Sequence, residues 1–152
     1  MKLSSNLKII IGLSIYAILL SSYLTYLHYS EDTSSFCDIS PSLSCDIVNK
    51  SKYSEFFGIP IAIMGGLTFI IIIIASWLAL KNKKLKIFGK NYQQKHFLDI
   101  ILILLVVSIL FALYLIYIEL FVLYSICILC VNLDFIILFA LIFIIKAKRC
   151  KK

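Results

Sequence analysis

The sequence predicts an all-α membrane protein, a bundle of four transmembrane helices, on three observations. The 152-residue chain is 62% hydrophobic and only 15% charged, far more apolar than a water-soluble domain of this size can bury. Its apolar residues gather in four runs, each long enough to cross the roughly 30 Å hydrocarbon core at about 1.5 Å per residue. Its basic residues gather in alternate connections between those runs. The runs lack the period-two alternation of barrel strands, and lipid cannot satisfy backbone amides, so helices are the structure expected to span.

The spans are expected at residues 7–27, 59–80, 97–117 and 125–145, in a single domain over 1–152 without repeats or low-complexity segments. The first follows Lys2 and Lys8 as a secretory leader would. Its apolar run is long and no A-x-A site follows it, so it reads as an anchor or plain first helix. Tyr16, Tyr23 and Tyr26 form a stripe along it, the pattern of packing and interfacial anchoring. Residues 28–58 make the one sizeable polar loop, with a turn signal at Ser40-Pro41, and are expected to fold over the mouth of the bundle. The second span opens at Gly58-Ile59-Pro60, where proline suits the first turn of a helix, and Ala62, Gly65 and Gly66 allow close helix approach. Residues 81–96 mix lysines with Leu85, Ile87 and Phe88 and read as a solvated basic connector, with an amphipathic segment along the headgroups as the alternative. A short turn over 118–124 precedes the fourth span.

The net charge of +7 raises nucleic-acid binding, which its placement argues against. Lys2 and Lys8, the lysines from Lys81 to Lys95, and Lys146, Lys148, Arg149, Lys151 and Lys152 all fall on one side of the spans; only Lys50 and Lys52 fall on the other. By the positive-inside rule both termini and the middle connection are cytoplasmic, and the 28–58 loop faces outward.

That topology sorts the five cysteines. Cys37 and Cys45 lie in the outer loop, Cys127 and Cys130 at the outward end of the fourth span, and Cys150, expected to be a plain reduced thiol, in the cytoplasmic tail. Disulfides persist on the oxidising side of a membrane. Cys127-Ile128-Leu129-Cys130 is a CxxC at a helix start, where unpaired amides and the positive end of the dipole favour thiolate. Cys130 should lie about 4.5 Å deeper than Cys127, so the outer sulfur meets a protein thiol while the inner meets something dissolved in lipid. Cys37 and Cys45 have enough chain between them to bridge across a turn. Two reversible pairs would make an electron shuttle; two static staples, or four thiolate ligands for zinc or Cu(I), are the competing readings. A loop this small on a membrane bundle needs little stapling, which favours redox chemistry.

The arrangement resembles the vitamin K epoxide reductase family, in particular its prokaryotic members. The likeness covers nearly the whole chain: Cys37, Cys45 and Ser51 in the first outer loop, Tyr53-Ser54-Glu55-Phe56-Phe57-Gly58-Ile59-Pro60 at the start of the second span, and Phe121-Val122-Leu123-Tyr124 leading into the CxxC. The resemblance implies an enzyme, a membrane thiol:quinone oxidoreductase in a prokaryotic plasma membrane that supports disulfide formation in exported proteins. Cys37 would exchange with a thioredoxin-like or DsbA-like partner, Cys45 would attack Cys127, and Cys130 would deliver electrons to a menaquinone, ubiquinone or vitamin K-type quinone, with no metal. The sequence carries no fused thioredoxin-like extension, so a separate partner is expected. The order of the pairs is the reverse of that in DsbB-type quinone reductases, the runner-up among redox enzymes; a Cys-rich metal-binding membrane protein is the alternative from another class.

Ser51 falls where the family places a hydroxyl near the redox centre; its plain reading is a loop hydroxyl or helix cap. Asp134 departs from the family pattern. It follows Cys130 by four residues, on the same helical face and inside the membrane, where an acid is a functional candidate for proton delivery to the quinone. Glu119, at the outer end of the third span, resembles an acid often seen in prokaryotic family members but reads as an interfacial carboxylate; it and His28 and His96, at opposite interfaces and too far apart to share a metal, receive no role.

Overall fold

In a computed structural model, the described residues are 3–30, 37–38, 40, 42–81, 85–87, 90–92 and 94–149, the segments 85–87 and 90–92 as backbone alone. The expectations for Lys2, Pro41, Phe88, Cys150, Lys151 and Lys152 lie outside them. Four long apolar helices, α1 (Leu3–Tyr29), α3 (Ile61–Leu80), α4 (Gln94–Ile118) and α5 (Ile128–Arg149), form the bundle. Helix α1 packs against α3 and α5, and α4 closes the ring against both. Both described termini therefore lie at one end, and the cysteines at the other.

Each helix is apolar almost all round, as lipid on one side and protein on the other require. The buried face of α1 alternates apolar and small polar residues: Leu7, Ile10, Ser14, Ala17, Ser21 and Leu24. Ser14 satisfies its hydroxyl by donating to the Ile10 carbonyl at 2.8 Å. Gly65 and Gly66 bring α3 close to α1; a Cβ on Gly66 would lie 3.6 Å from Cβ of Ser21. The Tyr16, Tyr23 and Tyr26 stripe points away from this seam and is exposed.

Four local differences from the sequence reading have physical causes. Pro60 precedes the helix instead of occupying its first turn, because Glu55–Phe56 (β1) and Ile59–Pro60 (β2) pair as a hairpin. Phe57 and Gly58 turn it with positive φ at both positions, as a two-residue hairpin loop demands. The connection between α3 and α4 contains a second hairpin, β3 (Leu85–Ile87) with β4 (Lys90–Tyr92). The expected 118–124 turn is mostly helical: α4 runs on as a π-helical turn, Glu119–Leu123, stopped by left-handed Tyr124. The Glu119 carbonyl accepts from Ser125 N at 3.1 Å and closes that end. Finally α5 starts at Ile128, leaving Ser125–Cys127 outside helix between the two helices.

Candidate active site

The cysteine end is assembled from three pieces of chain. The first is α2 (Cys45–Asn49), a five-residue helix capped by Ser44, whose Oγ accepts from Ile47 N at 3.2 Å. Ser44 Oγ also donates to Asp38 Oδ1, holding the turn that carries Cys37 beside the cap. Cys37 and Cys45 are joined in a disulfide. Asn49, at the other end of α2, is tied to α1: its Nδ2 donates to the Leu24 carbonyl at 2.6 Å, and its carbonyl lies 2.6 Å from His28 Nδ1. His28 Nε2 reaches Glu55 Oε1 at 3.2 Å, so one histidine spans α1, α2 and the first hairpin.

The second piece is the 125–127 segment. Ile126 N donates to the Ser42 carbonyl at 3.0 Å, which stitches it to the loop before α2. The third is the start of α5. Cys127 caps this helix: its carbonyl accepts the first helical bond, from Val131 N at 3.0 Å, and its sulfur accepts from Cys130 N at 3.2 Å. A sulfur thus occupies the place usually taken by a capping oxygen.

These anchors bring the sulfurs into line. Cys127 Sγ is 3.3 Å from Cys45 Sγ and 2.6 Å from Cys130 Sγ. Cys127 is fully buried among Leu24, Leu27, Val48 and Leu129, which exclude water from the contact. Cys130 is partly buried and lines a cavity of about 400 Å³, within the usual ~300–1,000 Å³ range of small-molecule sites. Its walls are mainly apolar, from Phe69, Val107, Phe111 and Leu115 among others, with Ser51, Glu119 and Asp134 as polar groups. Such walls favour an apolar ligand beside Cys130.

Ser51 and Asp134, both singled out in the sequence, reach this cavity in different ways. Asp134 lines it one helical turn from Cys130. Ser51 lines it too, but its hydroxyl donates to the Val48 carbonyl at 2.8 Å, closing the end of α2. Among the described residues no cluster of three or more His, Cys, Asp or Glu has the placement to hold a metal ion.

Sequence reasoning gave Glu119 and His28 no role and did not single out Asn49. Glu119 is 4% exposed, lines the cavity, and accepts from Cys127 N through Oε2 at 3.2 Å. The available signal was an acid inside an apolar run; ending the third span at residue 117 put it at the interface instead. His28 and Asn49 carry no local signal, since each acts on chain more than twenty residues away.

A family model described as the Vitamin K epoxide reductase family matches residues 8–145. No curated protein matches.

Proposed function

Because the chain belongs to the vitamin K epoxide reductase family, it is an integral membrane thiol–disulfide oxidoreductase that uses a quinone, and we propose that it oxidises a separate thioredoxin-like or DsbA-like partner so that exported proteins acquire disulfides. The observation that carries this reading is the row of sulfurs, Cys37 bonded to Cys45, Cys45 in contact with Cys127, and Cys127 beside Cys130 at the cavity.

A partner thiolate attacks Cys37, the Cys37–Cys45 bond breaks, and Cys45 leaves as a thiolate. In the oxidised state, in which Cys127 and Cys130, free thiols here, are bonded to each other, Cys45 attacks Cys127 across the 3.3 Å gap, the Cys127–Cys130 bond breaks, and Cys130 leaves toward the cavity; each step is ordinary thiol–disulfide exchange. When the partner's second thiol and Cys37 complete their exchanges, Cys127 and Cys130 hold two electrons as a dithiol. Their S–S bond then re-forms as two electrons and two protons pass to the quinone, giving hydroquinone. The amide of Cys130, aimed at Cys127 Sγ, stabilises charge as that sulfur exchanges.

Asp134 delivers a proton to the quinone from the cavity wall. Ser51 borders the same space and holds the end of α2; it donates to a quinone oxygen only if it releases Val48. The segment over 28–58 serves as the cap of the site, within one domain over 1–152. The distribution of lysines supports an orientation with both termini cytoplasmic and the sulfurs on the outer face of a prokaryotic plasma membrane.

The test is to mix the purified full-length protein with a soluble quinone and a reduced thioredoxin-like protein, and to follow hydroquinone in wild type and in each single Cys→Ser variant. All four outer-pair and CxxC variants should lose turnover by at least about 100-fold. With a small dithiol replacing the partner, Cys37→Ser and Cys45→Ser should recover activity while Cys127→Ser and Cys130→Ser do not. Wild-type turnover in Cys130→Ser overturns the reading.

A further inference from the structure

The exchange sequence above leaves one buried acid without a task. Glu119 sits on the π-helical turn after α4 and is 4% exposed. Its Oε2 accepts from the amide of Cys127 at 3.2 Å, which anchors the carboxyl beside a residue whose N and Sγ are three bonds apart. The same carboxyl borders the cavity shared by Cys130 and Asp134. It is therefore in place to serve both the inner cysteine pair and whatever occupies the cavity.

The chemistry needs such a group. Forming the Cys127–Cys130 bond breaks two S–H bonds, sends two electrons to the quinone, and requires two protons to reach its oxygens. The Cys130 proton starts at the cavity. The Cys127 proton does not: Cys127 is fully buried behind Leu24, Leu27, Val48 and Leu129, and its other sulfur neighbour is Cys45. Water cannot collect the proton there, so a protein base must.

We propose that Glu119 takes the thiol proton of Cys127 as the Cys127–Cys130 bond forms and holds it until a quinone oxygen accepts it, an inference that rests on the quinone reading above. Oε2 stays on the Cys127 amide, and Oε1 takes the proton. The titratable groups around this carboxyl are Cys127 before α5, Cys130 and Asp134 on α5, Cys45 on α2, and Tyr53 across the cavity. Asp134 reaches the cavity but makes no hydrogen bond to Cys127, so the two acids divide the work: Asp134 serves the quinone side, Glu119 the sulfur side.

The test is a single turnover: pre-reduced full-length protein is mixed with a soluble quinone from about pH 5 to 9, and hydroquinone is followed in wild type, Glu119→Gln and Glu119→Asp. Glutamine keeps an oxygen for the Cys127 amide but takes no proton. The wild-type rate should rise with pH as Glu119 ionises. E119Q should be at least about 10-fold slower, with that rise gone; E119D should be slower with the rise retained. A wild-type rate in E119Q, or a slowed E119Q that keeps the rise, overturns the proposal by reducing Glu119 to a structural prop. If E119Q does not assemble, E119D decides: a lowered rate supports the proposal and an unchanged one overturns it. If wild type itself exchanges disulfides but reduces no quinone, the quinone reading fails and this one with it, an outcome distinct from an active wild type that is indifferent to residue 119.

Discussion

The two ends of the bundle are built on opposite principles. At the end carrying both described termini, Leu7, Ile10, Leu98, Ile101, Leu105 and Ile144 are fully buried in one continuous apolar core. Polar contacts among the described residues there include Gln94 Nε2 donating to the Ala79 carbonyl at 2.8 Å and Lys148 pairing with Asp99 at 2.5 Å. At the cysteine end the apolar cluster is small and contains three sulfurs, a cavity of about 400 Å³ interrupts the packing, and hydrogen bonds from His28, Asn49, Ser44 and Ile126 hold the pieces in register. Packing without directional bonds suffices to hold helices side by side. Placing one sulfur 3.3 Å from another needs directional bonds, because apolar contacts alone tolerate small slides.

If that division is right, substitutions at the two ends should differ in kind. Apart from the cysteines and Glu119, the largest effect expected on turnover alone is that of Asp134→Ala, which should lower quinone reduction at least about 10-fold while leaving the melting temperature in detergent unchanged; full quinone reduction across pH would remove Asp134 from the mechanism. Asn49→Ala should touch both properties. It deletes the bond to the Leu24 carbonyl, which keeps its place in the α1 hydrogen-bond ladder, so it should cost about 0.5–1.5 kcal/mol, and it should slow exchange between Cys45 and Cys127, measured by trapping the mixed disulfide. Unchanged trapping would mean that α2 is located by packing after all.

At the opposite end, Asn6 is fully buried with neither side-chain nitrogen nor oxygen hydrogen-bonded among the described residues. Asn6→Leu should therefore raise stability by about 1 kcal/mol, read by thermal unfolding in detergent, with turnover unaffected. A loss of stability would show that this end also depends on polar contacts. The smallest effect belongs to Lys148→Ala. Its pair with Asp99 is about one-third exposed on both sides, and such pairs contribute roughly 0–1 kcal/mol; a shift beyond that range would point to a cooperative network at the helix ends.

Legibility follows the same division. The four spans, the sorting of Cys37 and Cys45 from Cys127 and Cys130, and the seam at Gly65 and Gly66 were readable, because each is a property of contiguous residues or of one helix face. Glu119 was misjudged because the helix carrying it continues through a π turn that apolar periodicity does not announce. The place of Cys127 as a helix cap was missed for a related reason: Ser125 and Ile126 are apolar enough to extend the span, yet their amides are taken by Glu119 and Ser42 from outside it.

The sequence by itself thus determined that the chain is a four-helix membrane bundle and that its cysteines fall as a loop pair and a CxxC, since hydropathy and residue type are read along the chain. The tertiary structure alone decided how near Cys45 comes to Cys127, 3.3 Å across 82 residues of chain, what walls the cavity beside Cys130, and that Glu119 turns inward. Those facts depend on contacts between distant segments, and no local pattern encodes a distance that exists only after α1, α2 and α5 have packed.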